Sequence, residues 1–168
     1  MTHFQNVPEL LVSSMPSGIL KQRIKRELED LIKNNTYDFE LTCLIAPTNY
    51  TLAIYNRSIN TKFEFTICNT YPFTPPKLVI NGKPYESYLY IQSELFGQGL
   101  KKYKNKTCFC CESILCPENW VITRTLKYIM DEFIYYKNIC QEISHIGITN
   151  VIKRKYLNEN INLIEWLH

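Results

Sequence analysis

Four of the seven cysteines fall within nine positions, in the run Thr107-Cys108-Phe109-Cys110-Cys111-Glu112-Ser113-Ile114-Leu115-Cys116-Pro117-Glu118-Asn119-Trp120. Cysteine is both the strongest nucleophile and the softest metal ligand among side chains, so two chemistries suit this cluster. One is nucleophilic: a thiolate takes up an acyl group as a thioester, which stays more reactive toward an amine than an oxygen ester would be. Lys101, Lys102, Lys104 and Lys106 lie just upstream and would favour a thiolate electrostatically. The other is metal binding. Cys108-x-x-Cys111 has zinc-knuckle spacing, and Cys110 and Cys116 would complete four ligands. Structural zinc sites more often use two separated pairs, and adjacent Cys110-Cys111 is an awkward geometry for one tetrahedral ion.

Other chemistries have less behind them. The histidines are His3, His145 and His168, so a cysteine-protease dyad would need His145, and no local protease signature surrounds Cys111. Five glycines leave no room for a phosphate-cradling loop. Cys43, Cys68 and Cys140 sit in apolar patterns and read as packing residues.

The elements that must position the cluster can be read from hydrophobic periodicity. The 168 residues, 45% hydrophobic and 21% charged, fit one globular domain. A net charge of +3, spread along the chain, does not argue for nucleic acid. No apolar run reaches membrane-span length, and the first residues show no secretory pattern. The expectation is an intracellular protein, cytoplasmic or nuclear, whose odd number of cysteines are thiols or metal ligands.

After Pro16, Ser17 reads as a cap for a helix with Leu20, Ile24, Leu28, Leu31 and Ile32 at helical spacing, stopping at Asn34-Asn35. Its charged residues read as a solvated face. Alternating runs over Asp38–Ile45, Tyr50–Tyr55 and Lys62–Cys68, then Leu78–Ile80, predict an antiparallel four-stranded meander. Pro75-Pro76 must lie outside a central strand. Asn81-Gly82 predicts a turn, and Gly97 and Gly99 bracket a break in a long connection over 81–106 that has room for one short element. Ile122, Leu126, Ile129, Met130, Phe133 and Ile134 predict a long helix to about Glu142, capped by Thr123 or Asn119. Gly147 is expected to break it, with one or two short helices in 149–166.

The order of helix, meander, proline-rich turn, cysteine loop, tryptophan and helix resembles the ubiquitin-conjugating (E2, UBC-fold) family. Tyr71-Pro72-Phe73-Thr74-Pro75-Pro76-Lys77-Leu78 is similar to that family's Y-P-F-x-P-P-K-[VL] stretch almost residue for residue. Arg23–Leu31 resembles its first helix, and Cys111-Glu112-Ser113-Ile114-Leu115 its C-L-D-I-L. Trp120 and Thr125 fall at the W and T of W-S-P-x-x-T, allowing one inserted residue. The resemblance covers about 18–143, the core of a single UBC-like domain spanning 1–168; 144–168 reads as a divergent C-terminal helical segment.

The resemblance implies an α+β fold and a transferase that carries ubiquitin, or a ubiquitin-like modifier, as a thioester on Cys111, with Cys110 the fallback. Implied partners are an E1 activating enzyme, which uses the ATP, and an E3 ligase. Arg23 and Arg26 would face the former, Phe73 and Pro75 the latter. No cofactor of the chain itself is expected, and neither nucleic acid nor membrane is an expected partner. Lys101-Lys102-Tyr103 stand where the family has H-P-N, which leaves Asn105 as the candidate for oxyanion or loop support and favours transfer onto a ligase cysteine. Val121-Ile122 replace the S-P pair, and Ser144-His145 stand where an acidic residue would fall. The alternative is a catalytically inactive UBC-fold module that binds ubiquitin or E2/E3 partners, with a zinc site at Cys108, Cys110, Cys111 and Cys116.

Overall fold

The structure is a computed structural model and describes residues 18–33, 44–46, 49–90, 94–106 and 108–156. Helix α1, Ile19–Lys33, follows the apolar spacing of its sequence and buries Ile24, Leu28 and Leu31. A helix of 15 residues is marginal alone. Burying each of those three side chains contributes about 1.5–3 kcal/mol, so tertiary packing holds it. The expected stop at Asn34-Asn35 lies outside the described residues. The expected cap Ser17, Cys43 and most of the expected first strand lie outside the described residues. One charge departs from the solvated face: Glu27 is only 4% exposed.

Among the described residues five strands follow: β1 Leu44–Ala46, β2 Asn49–Asn56, β3 Thr61–Cys68, β4 Lys77–Ile80 and β5 Lys83–Pro84. They pair in chain order, each neighbour antiparallel. The expected meander is therefore present with one extra strand of two residues. Alternation in β3 is strict, with Thr61, Phe63, Phe65 and Ile67 buried. Opposite them, Ile54 pairs with Phe63, Leu52 with Phe65 and Tyr50 with Ile67, so one face is continuously apolar. The added strand results from Asn81-Gly82. Both residues have positive φ, 48° and 77°, the backbone a two-residue hairpin turn needs.

Beyond β5 the sequence expectation needs larger correction. Among its described residues the connection is helical in two places, α2 Glu86–Leu89 and α3 Glu94–Lys104, and Gly97 and Gly99 lie inside α3. Gly99 is there for packing: a Cβ at that position would lie 2.6 Å from Cγ2 of buried Ile143 on the last helix. That helix, α4, spans Leu126–Tyr156 without a break. A glycine in a helix interior costs about 1 kcal/mol relative to alanine, too little for Gly147 to stop it. Phe133 of α4 meets Phe63 of the sheet edge-on at 5.5 Å, and Ile129, Met130, Ile139 and Ile143 are buried along the same helix. Residues 157–168 of the expected C-terminal segment lie outside the described set. Among the described residues no helix is long and apolar enough to cross a membrane.

Candidate functional site

Two carboxylate hubs, one buried and one half-buried, fix the proline-rich turn and the cysteine loop to the helices. The first is Glu27 of α1. It pairs with Arg23 one turn earlier, accepts the Tyr71 hydroxyl at 2.6 Å and accepts the Leu126 N–H at 2.7 Å. Leu126 is the first residue of α4, so Glu27 satisfies an otherwise unpaired donor and sets a negative charge against the positive end of the helix dipole. Thr125 Oγ1 accepts the Tyr128 N–H at 3.3 Å, so the side-chain cap is Thr125 and not Thr123 or Asn119. The Arg23 guanidinium also donates to the Arg124 carbonyl at 2.6 Å. Burial first, then the adjacent Glu27, holds the Tyr71 phenol well above the ordinary tyrosine range.

Tyr71 begins the proline-rich turn, where the Tyr71–Pro72 peptide bond is cis. The Pro72 carbonyl accepts the Trp120 indole N–H at 2.8 Å. This bond ties the turn to the end of the cysteine loop and leaves Phe73, between the prolines, 67% exposed. Val121 and Ile122, just past Trp120, are also exposed apolar residues.

The second hub is Glu132 of α4. It accepts the Ile114 N–H at 2.8 Å, the Tyr85 hydroxyl at 2.6 Å, the Ser113 hydroxyl at 3.1 Å and the Tyr136 hydroxyl at 3.3 Å. The cysteine loop is thus bonded to the long helix two and three residues after Cys111. Phe109 is the loop's apolar anchor, 1% exposed and stacked on Tyr136 at 4.4 Å. Its carbonyl accepts the N–H groups of Glu112 and Ser113, each at 3.1 Å, closing a tight turn over 109–113. The Asn119 amide completes the frame by donating to the Cys111 carbonyl at 2.8 Å and the Ser113 carbonyl at 3.0 Å.

This frame decides where the sulfurs go. With Phe109 committed to the core, Cys108 and Cys110 on either side of it stay half-buried, Cys110 packed against the core, and the turn brings Cys111 back to them. The Sγ···Sγ separations are 3.2 Å for Cys108–Cys110, 3.6 Å for Cys108–Cys111 and 3.8 Å for Cys110–Cys111. Cys111 is exposed and the other two half-buried. Two of the four lysines expected to favour a Cys111 thiolate are paired with carboxylates, Lys106 with Glu112 and Lys104 with Glu142. Hydrogen bonding from Cys108 and then Cys110 instead pushes the Cys111 thiol up to about 11. The Cys108 thiol is held below its ordinary value, first by the Cys111 N–H and then by the Cys110 thiol.

The expectation of no cofactor is corrected here. Among the described residues, Cys108, Cys110 and Cys111 place their sulfurs within 4.8 Å of one another, a set able to hold a metal ion. The adjacency of Cys110 and Cys111, read from sequence as awkward for a shared ion, is accommodated by the turn. Cys116, the expected fourth ligand, is not in this group. Its backbone belongs to the next turn, where its carbonyl accepts from Asn119 and Trp120.

The other predicted residues have clear places. Asn105 has φ 53° and follows the last residue of α3, with its N–H bonded to the Lys101 carbonyl, so its backbone closes that helix. Arg23 is directed at Glu27 and Arg124, while Arg26 is exposed. Pro75 is half-buried beside exposed Phe73. Sequence reasoning missed Glu27, Glu132 and Asn119 as the residues that frame the site. The sequence offers Asn119 only as a helix cap, and a lone Glu on a charged helix carries no signal that distinguishes it from its neighbours. Cys68, read as packing, lies near Thr70 and Thr74, with Sγ 2.9 and 3.0 Å from their hydroxyls. Comparison with models of known protein families, with curated proteins and with solved structures finds no match in any of the three.

Proposed function

We propose that this chain is a divergent E2-like carrier with a UBC-like fold. It accepts ubiquitin or a ubiquitin-like modifier on Cys111 and passes it to a ligase or substrate. In the loading step the Cys111 sulfur attacks the thioester carbonyl presented by an activating enzyme. A new C–S bond forms, the old one breaks, and the departing enzyme thiolate takes up the proton. The observation that carries the proposal is the exposure of Cys111 on a loop held from behind by Glu132, Asn119 and Phe109. A carrier needs an accessible sulfur on a fixed backbone, because a modifier must approach from solvent and meet the carbonyl at a defined geometry. The Trp120–Pro72 bond supports it further, since it holds exposed Phe73 on a turn joined to that loop, as a ligase-contact surface requires. Arg26 is the exposed member of the basic pair assigned to the activating enzyme.

A second reading has its own observation. The clustering of Cys111 with two further sulfurs suits a UBC-fold interaction module whose loop is held by metal and which transfers nothing. A charging assay separates them: protein, ATP, activating enzyme and modifier, with adducts resolved without and with reducing thiol. The carrier reading expects a thiol-sensitive adduct in wild type that becomes a stable oxyester in Cys111→Ser and persists in Cys116→Ser. No adduct with any of several activating enzymes would sink it in favour of the module. An adduct retained in Cys111→Ser and lost in Cys110→Ser would move the nucleophile to Cys110.

A further inference from the structure

We propose that Cys108, Cys110 and Cys111 form a three-thiolate site for one zinc ion, with the fourth coordination position open to an exogenous ligand. The geometry can be checked against the metal. A zinc–sulfur distance of about 2.3 Å at the centre of a tetrahedron puts neighbouring sulfurs about 3.8 Å apart. The separations of 3.8 and 3.6 Å to Cys111 meet that edge, and the 3.2 Å between Cys108 and Cys110 needs only a small opening. The turn that gathers them is made by the protein itself, through Phe109 stacked on Tyr136 and the two N–H groups closing on the Phe109 carbonyl. The site is therefore assembled before any ion arrives, which lowers the ordering cost of binding.

The donor set selects the class of ion. Three thiolates are soft ligands, and a tetrahedral sulfur environment suits zinc rather than magnesium or calcium, which take oxygen. Binding releases three thiol protons to solvent and leaves a net charge of −1 on the zinc–thiolate group. Lys101, Lys102, Lys104 and Lys106 precede it closely in the chain. Because Cys116 stays outside, the site has three protein ligands, the number that leaves a position for water or another small ligand. Cys111 is the exposed member of the set. On the carrier reading, zinc and an acyl group compete for the same sulfur, and zinc occupancy blocks loading.

The test is a zinc titration of the full chain, stripped with a chelator and kept in a non-thiol reductant, against a competing chromophoric chelator. Cobalt then serves as a spectroscopic probe of thiolate ligation. The expected result is one ion per chain with thiolate-to-cobalt charge transfer. Serine at position 108, 110 or 111 should each weaken zinc by at least about 100-fold, the upper end of what loss of a supporting partner alone costs. Cys116→Ser and Cys68→Ser should bind as wild type. Exposed Cys111→Ser is the variant least able to disturb the fold, and metal-free circular dichroism checks each protein. No binding by wild type, binding that survives in Cys111→Ser, or equal dependence on Cys116 would overturn the proposal. The titration contains no activating enzyme, so it reads out even if charging fails. Conversely, charging run in chelator tests the carrier reading whether or not zinc binds.

Discussion

Removing the Glu132 carboxylate should loosen the cysteine loop and cost more than any exposed charge on the same helix. Its four donors come from Ile114, Tyr85, Ser113 and Tyr136, and Tyr85 and Ser113 are each 1% exposed, so water cannot replace the acceptor freely. A hydrogen bond to a charged acceptor contributes about 1.5–3 kcal/mol, and a buried donor left unpaired costs about 1–3 kcal/mol. Counting only the two short bonds, at 2.8 and 2.6 Å, Glu132→Ala should lose about 3–6 kcal/mol. That is a large share of the roughly 5–15 kcal/mol that holds a domain together. Glu132→Gln should lose only about 1 kcal/mol. Its remaining oxygen can face the Ile114 N–H, which cannot change role, while the Tyr85 and Ser113 hydroxyls rotate to accept from the new amide. Asp131→Ala removes an exposed pair with Lys127 and should stay within about 0.5 kcal/mol of wild type. Urea unfolding at constant m-value measures all three, and mass spectrometry follows alkylation of Cys111. The alanine variant should also speed that alkylation as the loop detaches. Equal losses for alanine and glutamine, or an alanine variant as stable as Asp131→Ala, would refute the hub.

Two glycines of the helical pair give opposite expectations. Gly99→Ala should destabilise by about 1 kcal/mol, the overlap with Ile143 outweighing the gain in helix propensity, whereas Gly147→Ala, with nothing within 4 Å, should stabilise by up to about 1 kcal/mol. Thermal unfolding of the two variants decides it, and the same sign for both would show that the α3–α4 approach is looser than described. Stability should also fall steeply in alkali. Tyr71 and Tyr85 are buried beside Glu27 and Glu132 with folded pKa values raised above the unfolded value, so their contribution is present below about pH 10 and lost as pH rises further. Each costs about 1.4 kcal/mol per pH unit above that point, and Tyr85→Phe should flatten the slope by one such step. Denaturant unfolding on either side of pH 10 is the measurement, with identical slopes for both proteins the contrary result.

What could be read in advance follows from what is local. The strict alternation of Phe63, Phe65 and Ile67 gave β3 and its buried face because a strand's side-chain period is fixed by its backbone. Asn81-Gly82 announced its hairpin because those residues tolerate positive φ. Ile24, Leu28 and Leu31, like Leu126, Ile129, Met130 and Phe133, marked the faces of α1 and α4. Gly97 and Gly99 misled for the complementary reason. A glycine that permits close helix contact and one that ends a helix look the same until the partner, here Ile143, is in place.

The sequence by itself determined the order of strands and long helices, the concentration of thiols before the last helix, and the two chemistries such thiols permit. Only the tertiary structure decided which thiols meet. Cys108, Cys110 and Cys111 converge because Phe109 is held by Tyr136, far along the chain, and because Glu132 and Asn119 fix the turn that follows. Cys116, close in sequence, is left out by the same turn. Glu27 and Glu132 stand out from other acidic residues only through partners such as Tyr71, Leu126, Tyr85 and Ile114, which local periodicity cannot specify. A carboxylate's role depends on the donors brought to it and on how much water remains, and both are properties of the folded chain.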